Sequence, residues 1–100
     1  MNTVQILVIG RNTDILETVL RLINNNPEWN ATGTSEDGEA IRYFEEQSFD
    51  LVLLGGGIEP TSEESLCNFF RQRNPSIRIV QHYGGGSGLL SNEILHALKS

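Results

Sequence analysis

The sequence predicts an α/β fold: a three-layer αβα sandwich around a parallel sheet of four strands. Two observations carry this. Short aliphatic runs, VQILVIG, DLVLLG and SIRIV among them, recur along the chain, and each is followed by a longer stretch of helical character. Strands that alternate with helices imply parallel pairing, right-handed crossovers and helices on both faces. The strongest runs are apolar throughout rather than alternating, as strands buried on both faces are.

The elements follow in order. VQILVIG, residues 4–10, is the first strand. In RNTDILETVLRLINNNPEW, the residues Ile15, Leu16, Val19, Leu20, Leu22 and Ile23 recur with helical period. Asn12 or Thr13 suits the N-cap, Asp14 and Glu17 suit the positive end of the dipole, and Asn24–Asn25–Asn26–Pro27 ends the helix. NATGTS is a short, more polar strand that belongs at a sheet edge, with Trp29 in its packing. DGEAIRYFEEQS is the second helix, with Asp37 as its expected cap and Ala40, Ile41 and Phe44 facing inward. DLVLLG is the third strand and a central one. PTSEESLCNFFRQRN is the third helix, with Thr61 and Glu64 at capping-box spacing and Leu66, Phe69 and Phe70 on its inner face. SIRIVQHY is the fourth strand. SNEILHALKS is the last helix, with Ser91 as its expected cap and Ile94, Leu95 and Leu98 inward.

Composition narrows the function. A chain of 100 residues is read as a single domain, 1–100, with one core. Thirteen acidic residues against seven basic ones give a net charge of −6. That balance argues against nucleic acid, where phosphate contacts dominate affinity, and against an anionic membrane surface. No apolar run reaches the roughly 18 residues of a membrane span, and the N-terminus lacks a basic, apolar, small-residue leader. The expected location is therefore the cytoplasm. Cys67 is the only cysteine, so no internal disulfide forms, and beside Leu66, Phe69 and Phe70 it reads as a small core residue rather than a nucleophile. His82 and His96 have no cysteine or nearby acid to complete a metal motif, and no cofactor is expected.

Several strings, in order, resemble the receiver domain of response regulators, a flavodoxin-like family. TSEDGEAIRYFEEQSFDLVLL is similar to the family's stretch from second to third strand, and NPSIRIV to the start of its fourth. The resemblance covers roughly residues 4–83, and residues 90–99 resemble the family's final helix. It implies a strand order of 2-1-3-4 and a role in two-component signalling. Receiver domains hold magnesium with acids at the ends of the first and third strands, and they phosphorylate the third-strand Asp. Here Gly10 and Arg11 stand at the acidic pair and Gly55 at the acceptor. The hydroxyl position falls on or near Tyr83, and the Lys position has no counterpart. After QHY the chain runs through GGGSGLL into the last helix, so the family's fourth helix and fifth strand are missing. The resemblance therefore implies a degenerate, shortened pseudo-receiver that is not phosphorylated and is not an enzyme, one that acts by binding proteins.

Two surfaces follow. Gly10, Arg11, Gly55, Gly56, Gly57, His82, Tyr83, Gly84, Gly85 and Gly86 would line the rim at the carboxyl ends of the strands, where open α/β sheets bind ligands. The glycines there serve either as tight turns, as a nest for a small anionic ligand, or as a protein-contact surface. The missing fifth strand leaves Ile77, Arg78, Ile79, Val80 and Gln81 as an edge guarded by one charge and no proline. A homodimer is expected on this side, by edge pairing or by exchange of the last helix.

Overall fold

A computed structural model describes residues 3–81 and 87–99 of the chain. The three apolar runs and the more polar second one become β1 (Val4–Ile9), β2 (Trp29–Thr34), β3 (Leu51–Leu54) and β4 (Arg78–Gln81). Between and after them lie α1 (Thr13–Asn24), α2 (Asp37–Glu46), α3 (Pro60–Arg73) and α4 (Ser87–Lys99). All strand pairs are parallel, in the order β2-β1-β3-β4. This is the flavodoxin-like arrangement that the alternation of elements and the resemblance imply.

Register makes one edge of the sheet level. Ile9 pairs with both Thr34 and Leu54, and Leu54 pairs with Gln81, so the strands end in one row. The loops leaving β1, β2 and β3 therefore emerge side by side.

Because side chains alternate along a strand, β1 and β3 feed two cores. Ile6, Val8, Leu51 and Leu53 pack with Leu16, Val19 and Ile23 of α1 and with Leu90 and Ile94 of α4. Leu7, Ile9, Val52 and Leu54 pack with Ala40 and Phe44 of α2 and with Leu66 and Phe70 of α3. The second core is aromatic: the Phe44 and Phe70 rings lie 4.6 Å apart, with Phe49 and Phe69 around them. β4 contributes to both, with Val80 against the α1–α4 core and Ile79 against the α2–α3 core.

Two local devices fix α1 against β2. Gly33 leaves room for it: a Cβ there would stand 2.7 Å from a methyl of Leu20 and 3.1 Å from one of Leu16. At its end, Asn24 clasps the strand. The Ala31 N–H donates to Asn24 Oδ1 at 2.8 Å, and Asn24 Nδ2 donates to the Ala31 carbonyl at 3.4 Å.

Helix starts depart from sequence expectation in three places. Asn12 caps α1 as expected, accepting from the N–H groups of Asp14 and Ile15. In α2 the N-cap is Glu36 and Asp37 is already helical. The Thr34 hydroxyl at the end of β2 accepts the Glu36 N–H and donates to the Glu39 carboxylate, which serves that end of α2 from outside it. In α3 the N-cap is Glu59 and Pro60 opens the helix, two residues earlier than a Thr61 box would place it. In α4 the helix is under way by Ser87, so Ser91 is interior. Ile15 and Leu95 face outward, 61% and 44% exposed, because each helix packs one stripe on the sheet and these lie beside it.

Burial ranks two substitutions. Phe70 is fully buried and Ile15 is not. Phe70→Ala is expected to lower unfolding stability by about 3–5 kcal/mol, and Ile15→Ala by no more than about 0.5 kcal/mol. Urea denaturation of the two variants measures both.

Candidate functional site at the carboxyl ends of the strands

Arg11 leaves the end of β1 and is half-buried. Its guanidinium reaches the ends of the two neighbouring strands. Nη1 donates to the Ser35 carbonyl beyond β2 at 2.8 Å, and Nη2 lies 2.8 Å from Asp37 Oδ1 at the start of α2. Nε donates to Glu59 Oε1, at the start of α3, at 3.3 Å. A planar fork with five N–H donors can serve three acceptors in different directions, which an ammonium group cannot match in geometry.

The electrostatics follow from this geometry. Burial acts to lower the Arg11 pKa, but hydrogen bonds and charge attraction from Asp37 and Glu59 outweigh it, so the guanidinium is held above its ordinary value. The Arg11 hydrogen bond, with smaller help from the backbone, holds the Glu59 carboxyl below the ordinary glutamate value. Asp37 Oδ1 is shut off from solvent, and Arg11 is the cation that faces it. One positive and two negative charges leave the group at −1.

The glycines of the rim have separate tasks. Gly55 donates its N–H to the Ile9 carbonyl at 2.7 Å, continuing the ladder past β3. A Cβ at Gly55 would sit 3.3 Å from that carbonyl oxygen and 3.5 Å from Gly10 Cα. Gly57 has a φ of +85° and crosses the Arg11 stem, where a Cβ would meet Arg11 Cβ at 3.4 Å. Glycine is required there for its left-handed backbone. Gly10 donates to the Thr34 carbonyl at 3.1 Å. Beside this rim a cleft of about 690 Å³ opens over Val8 and Leu53, walled by Ile15 and Val19 of α1 and by Leu90 of α4.

Of the residues singled out from sequence, the structure brings Gly10, Arg11, Gly55, Gly56 and Gly57 to one cleft. His82, Tyr83, Gly84, Gly85 and Gly86 lie outside the described residues. Among the described residues Arg78 to Gln81 form β4 at the end of the sheet, while Ile77 precedes it and is buried in the α2–α3 core. Cys67 is half-buried on α3 against that core, and burial pushes its thiol pKa up. Asp37, Glu59 and Ser35 were not identified as partners of Arg11 from sequence. The available signal was topological: in the order 2-1-3, acids following the second and third strands border whatever follows the first.

This donor set does not fit magnesium. Asp37 and Glu59 are already turned on a guanidinium, Asp14 at the cleft stands in the first turn of α1, and the ends of β1 and β3 offer Gly10, Arg11 and Gly55 in place of carboxylates. Among the described residues no three His, Cys, Asp or Glu side chains converge on a cation site. No helix among them is long and apolar enough to cross a membrane.

No family model matches the sequence, and no curated protein shows significant similarity to it. Solved structures do resemble it. A response-regulator receiver domain from Clostridium thermocellum superposes with a TM-score of 0.71 at 23% identity, covering 96% of this chain and 75% of that one. A CheY-like receiver domain from Methanospirillum hungatei gives 0.72 at 19% identity, covering 96% and 76%. A protein assigned to pilus assembly (cpaE) from Burkholderia thailandensis gives 0.66 at 18% identity, covering 95% and 80%. The fold is that of a receiver domain.

Arg11→Ala leaves a buried carboxylate oxygen without its cation. It is expected to lower stability by about 1–3 kcal/mol, with Arg11→Lys recovering only part of the loss in urea titrations. Glu59 carries a pH signature. Its folded pKa lies below its unfolded one, so its contribution is complete above the ordinary glutamate range and is lost as pH falls through the lower folded value. The stability gap between wild type and Glu59→Gln should be constant near neutrality and close in acid. A gap that widens in acid contradicts the assignment.

Proposed function

We propose that this chain is a receiver-like signalling module of two-component type that is not phosphorylated, acts in the cytoplasm, and works by binding proteins, itself included. The observation that carries this is the Arg11 clamp. A guanidinium held by Asp37, Glu59 and the Ser35 carbonyl stands at the strand ends where receiver chemistry would need a divalent cation, and Gly55 offers no carboxylate to phosphorylate. In a phosphorylated receiver, charge arriving at this rim would shift loops between two arrangements. Here an internal cation already ties the loops after β1, β2 and β3 together, which supports a domain held in one arrangement. The fold is also similar to that of a protein assigned to pilus assembly, so a likeness in fold does not by itself carry phosphotransfer.

Self-association is proposed on the β4 side. Among the described residues β4 ends the sheet with β3 as its strand neighbour, and Ile79 and Val80 remain half-buried there. Strand edges with apolar side chains tend to pair. A second reading, a small ligand at the glycine rim, is favoured by the cleft of about 690 Å³ beside Gly55 and Gly57. The net negative charge of the Arg11 group weighs against an anion as that ligand.

Incubation with acetyl phosphate and magnesium should add no phosphoryl mass by intact mass spectrometry. In ¹⁵N NMR spectra, magnesium with beryllofluoride should leave Gly55–Gly57 unmoved. A phosphorylated species overturns the proposal. Shifts at the same glycines on adding nucleotides transfer the function to the cleft.

A further inference from the structure

α3 carries two stripes. Leu66 and Phe70 enter the core. A second set, Pro60, Glu63, Glu64, Cys67, Asn68 and Arg71, falls at i, i+3, i+4, i+7, i+8 and i+11 and so forms one continuous face. This face walls a groove of about 610 Å³ whose floor is β4, at Ile79. The groove thus runs along the outer side of α3 at the edge of the sheet.

The charges on this stripe are ordered. Acids stand in its amino-terminal half, Arg71 in its carboxyl-terminal half and Cys67 between them. Glu63 and Arg71 each lie four residues from Cys67. Among the described residues neither Glu63, Glu64 nor Arg71 is in an ion pair. The helix dipole accounts for the sign of charge at each end. It does not account for the alignment of all three with the groove floor. An antiparallel copy of the same stripe, turned about a two-fold axis at Cys67, would set each Glu63 opposite the other copy's Arg71.

We propose that the occupant of this groove is a second copy of the chain, related by a two-fold axis that passes beside Cys67. This names the surface for the self-association proposed above and rests on it. The same rotation lays β4 antiparallel against its copy, so helix and strand contacts are satisfied together. Dimensions agree. α3 packs Leu66 and Phe70 on Val52 and Leu54 of β3 and shares its groove with Ile79 of β4; a helix over that pair, with strands about 4.8 Å apart, brings the two α3 axes to about 10 Å, the normal separation of packed helices. With a helix radius of about 2.3 Å, facing Cys67 Cα atoms then lie about 5–6 Å apart, within disulfide range.

The test uses the full chain. Light scattering at tens of micromolar should give a dimer. Copper phenanthroline, which removes two electrons and two protons from a pair of thiols, should join the copies through Cys67, the only cysteine present. Arg71→Glu should weaken dimerisation by about tenfold or more, as should Glu63→Arg, and the double variant should restore it. Circular dichroism verifies that the variants fold. A monomer overturns both this interface and the self-association, while leaving the phosphorylation result to stand by itself. A dimer that resists Cys67 cross-linking and ignores both charge reversals overturns this interface alone.

Discussion

The arrangement of the rim depends on how a single guanidinium is neutralised. Parallel strands of level register send three loops to one edge, and the amino termini of α1, α2 and α3 point to the same place. Each terminus brings positive potential, so an arginine added there is unfavourable by itself. Asp37 at the first helical position of α2 and Glu59 at the N-cap of α3 reverse the balance. Each is favoured by its own helix dipole, and together they make the rim acidic enough to hold Arg11. The cation and the two helix starts are therefore mutually required. The Thr34 hydroxyl ties the same corner to β2: it accepts the Glu36 N–H just before Asp37 and donates to the Glu39 carboxylate, while the Asp37 carboxylate faces Arg11.

The glycine triplet after β3 divides along the same lines. Gly57 is fixed by its backbone, because the turn must pass over the Arg11 stem with a positive φ. Gly56 meets nothing and faces outward. Gly55 stands against the β1 carbonyl in a position tight for a side chain, with no backbone need for glycine. Three identical letters thus have three causes, and Gly55 alone bears on the chemistry of the strand end.

Much of the fold was legible in the sequence. Buried strands such as LVLL are written in adjacent apolar residues, and helix periodicity is local, so element order and sheet type follow from short windows. Strand order came from resemblance, since periodicity does not say which strand lies beside which. The errors were also local in origin. Ser, Thr and Asp are read as caps wherever they stand near a helix start, but α2 and α3 begin after Glu36 and Glu59, the latter with Pro60 at the first position, and α4 is under way by Ser87. Ile15 and Leu95 have the right chemistry for a core and lie a step outside the stripe that reaches it. At the candidate site, Gly10, Arg11 and Gly55 were readable against the receiver pattern. Glu59 was not identified as a partner, because it is 48 positions from Arg11 and only the folded sheet makes them neighbours.

The Asn24 clasp on β2 has a consequence for assembly. Its carboxamide engages both backbone groups of Ala31 on the side of the sheet opposite β4. A side chain held there competes with an incoming strand at Ala31, so one border of the sheet is obstructed by its own helix. Edge-to-edge addition is then favoured at the other border. Two copies that meet there by rotation consume it in both, and the assembly has no end left from which a filament can grow.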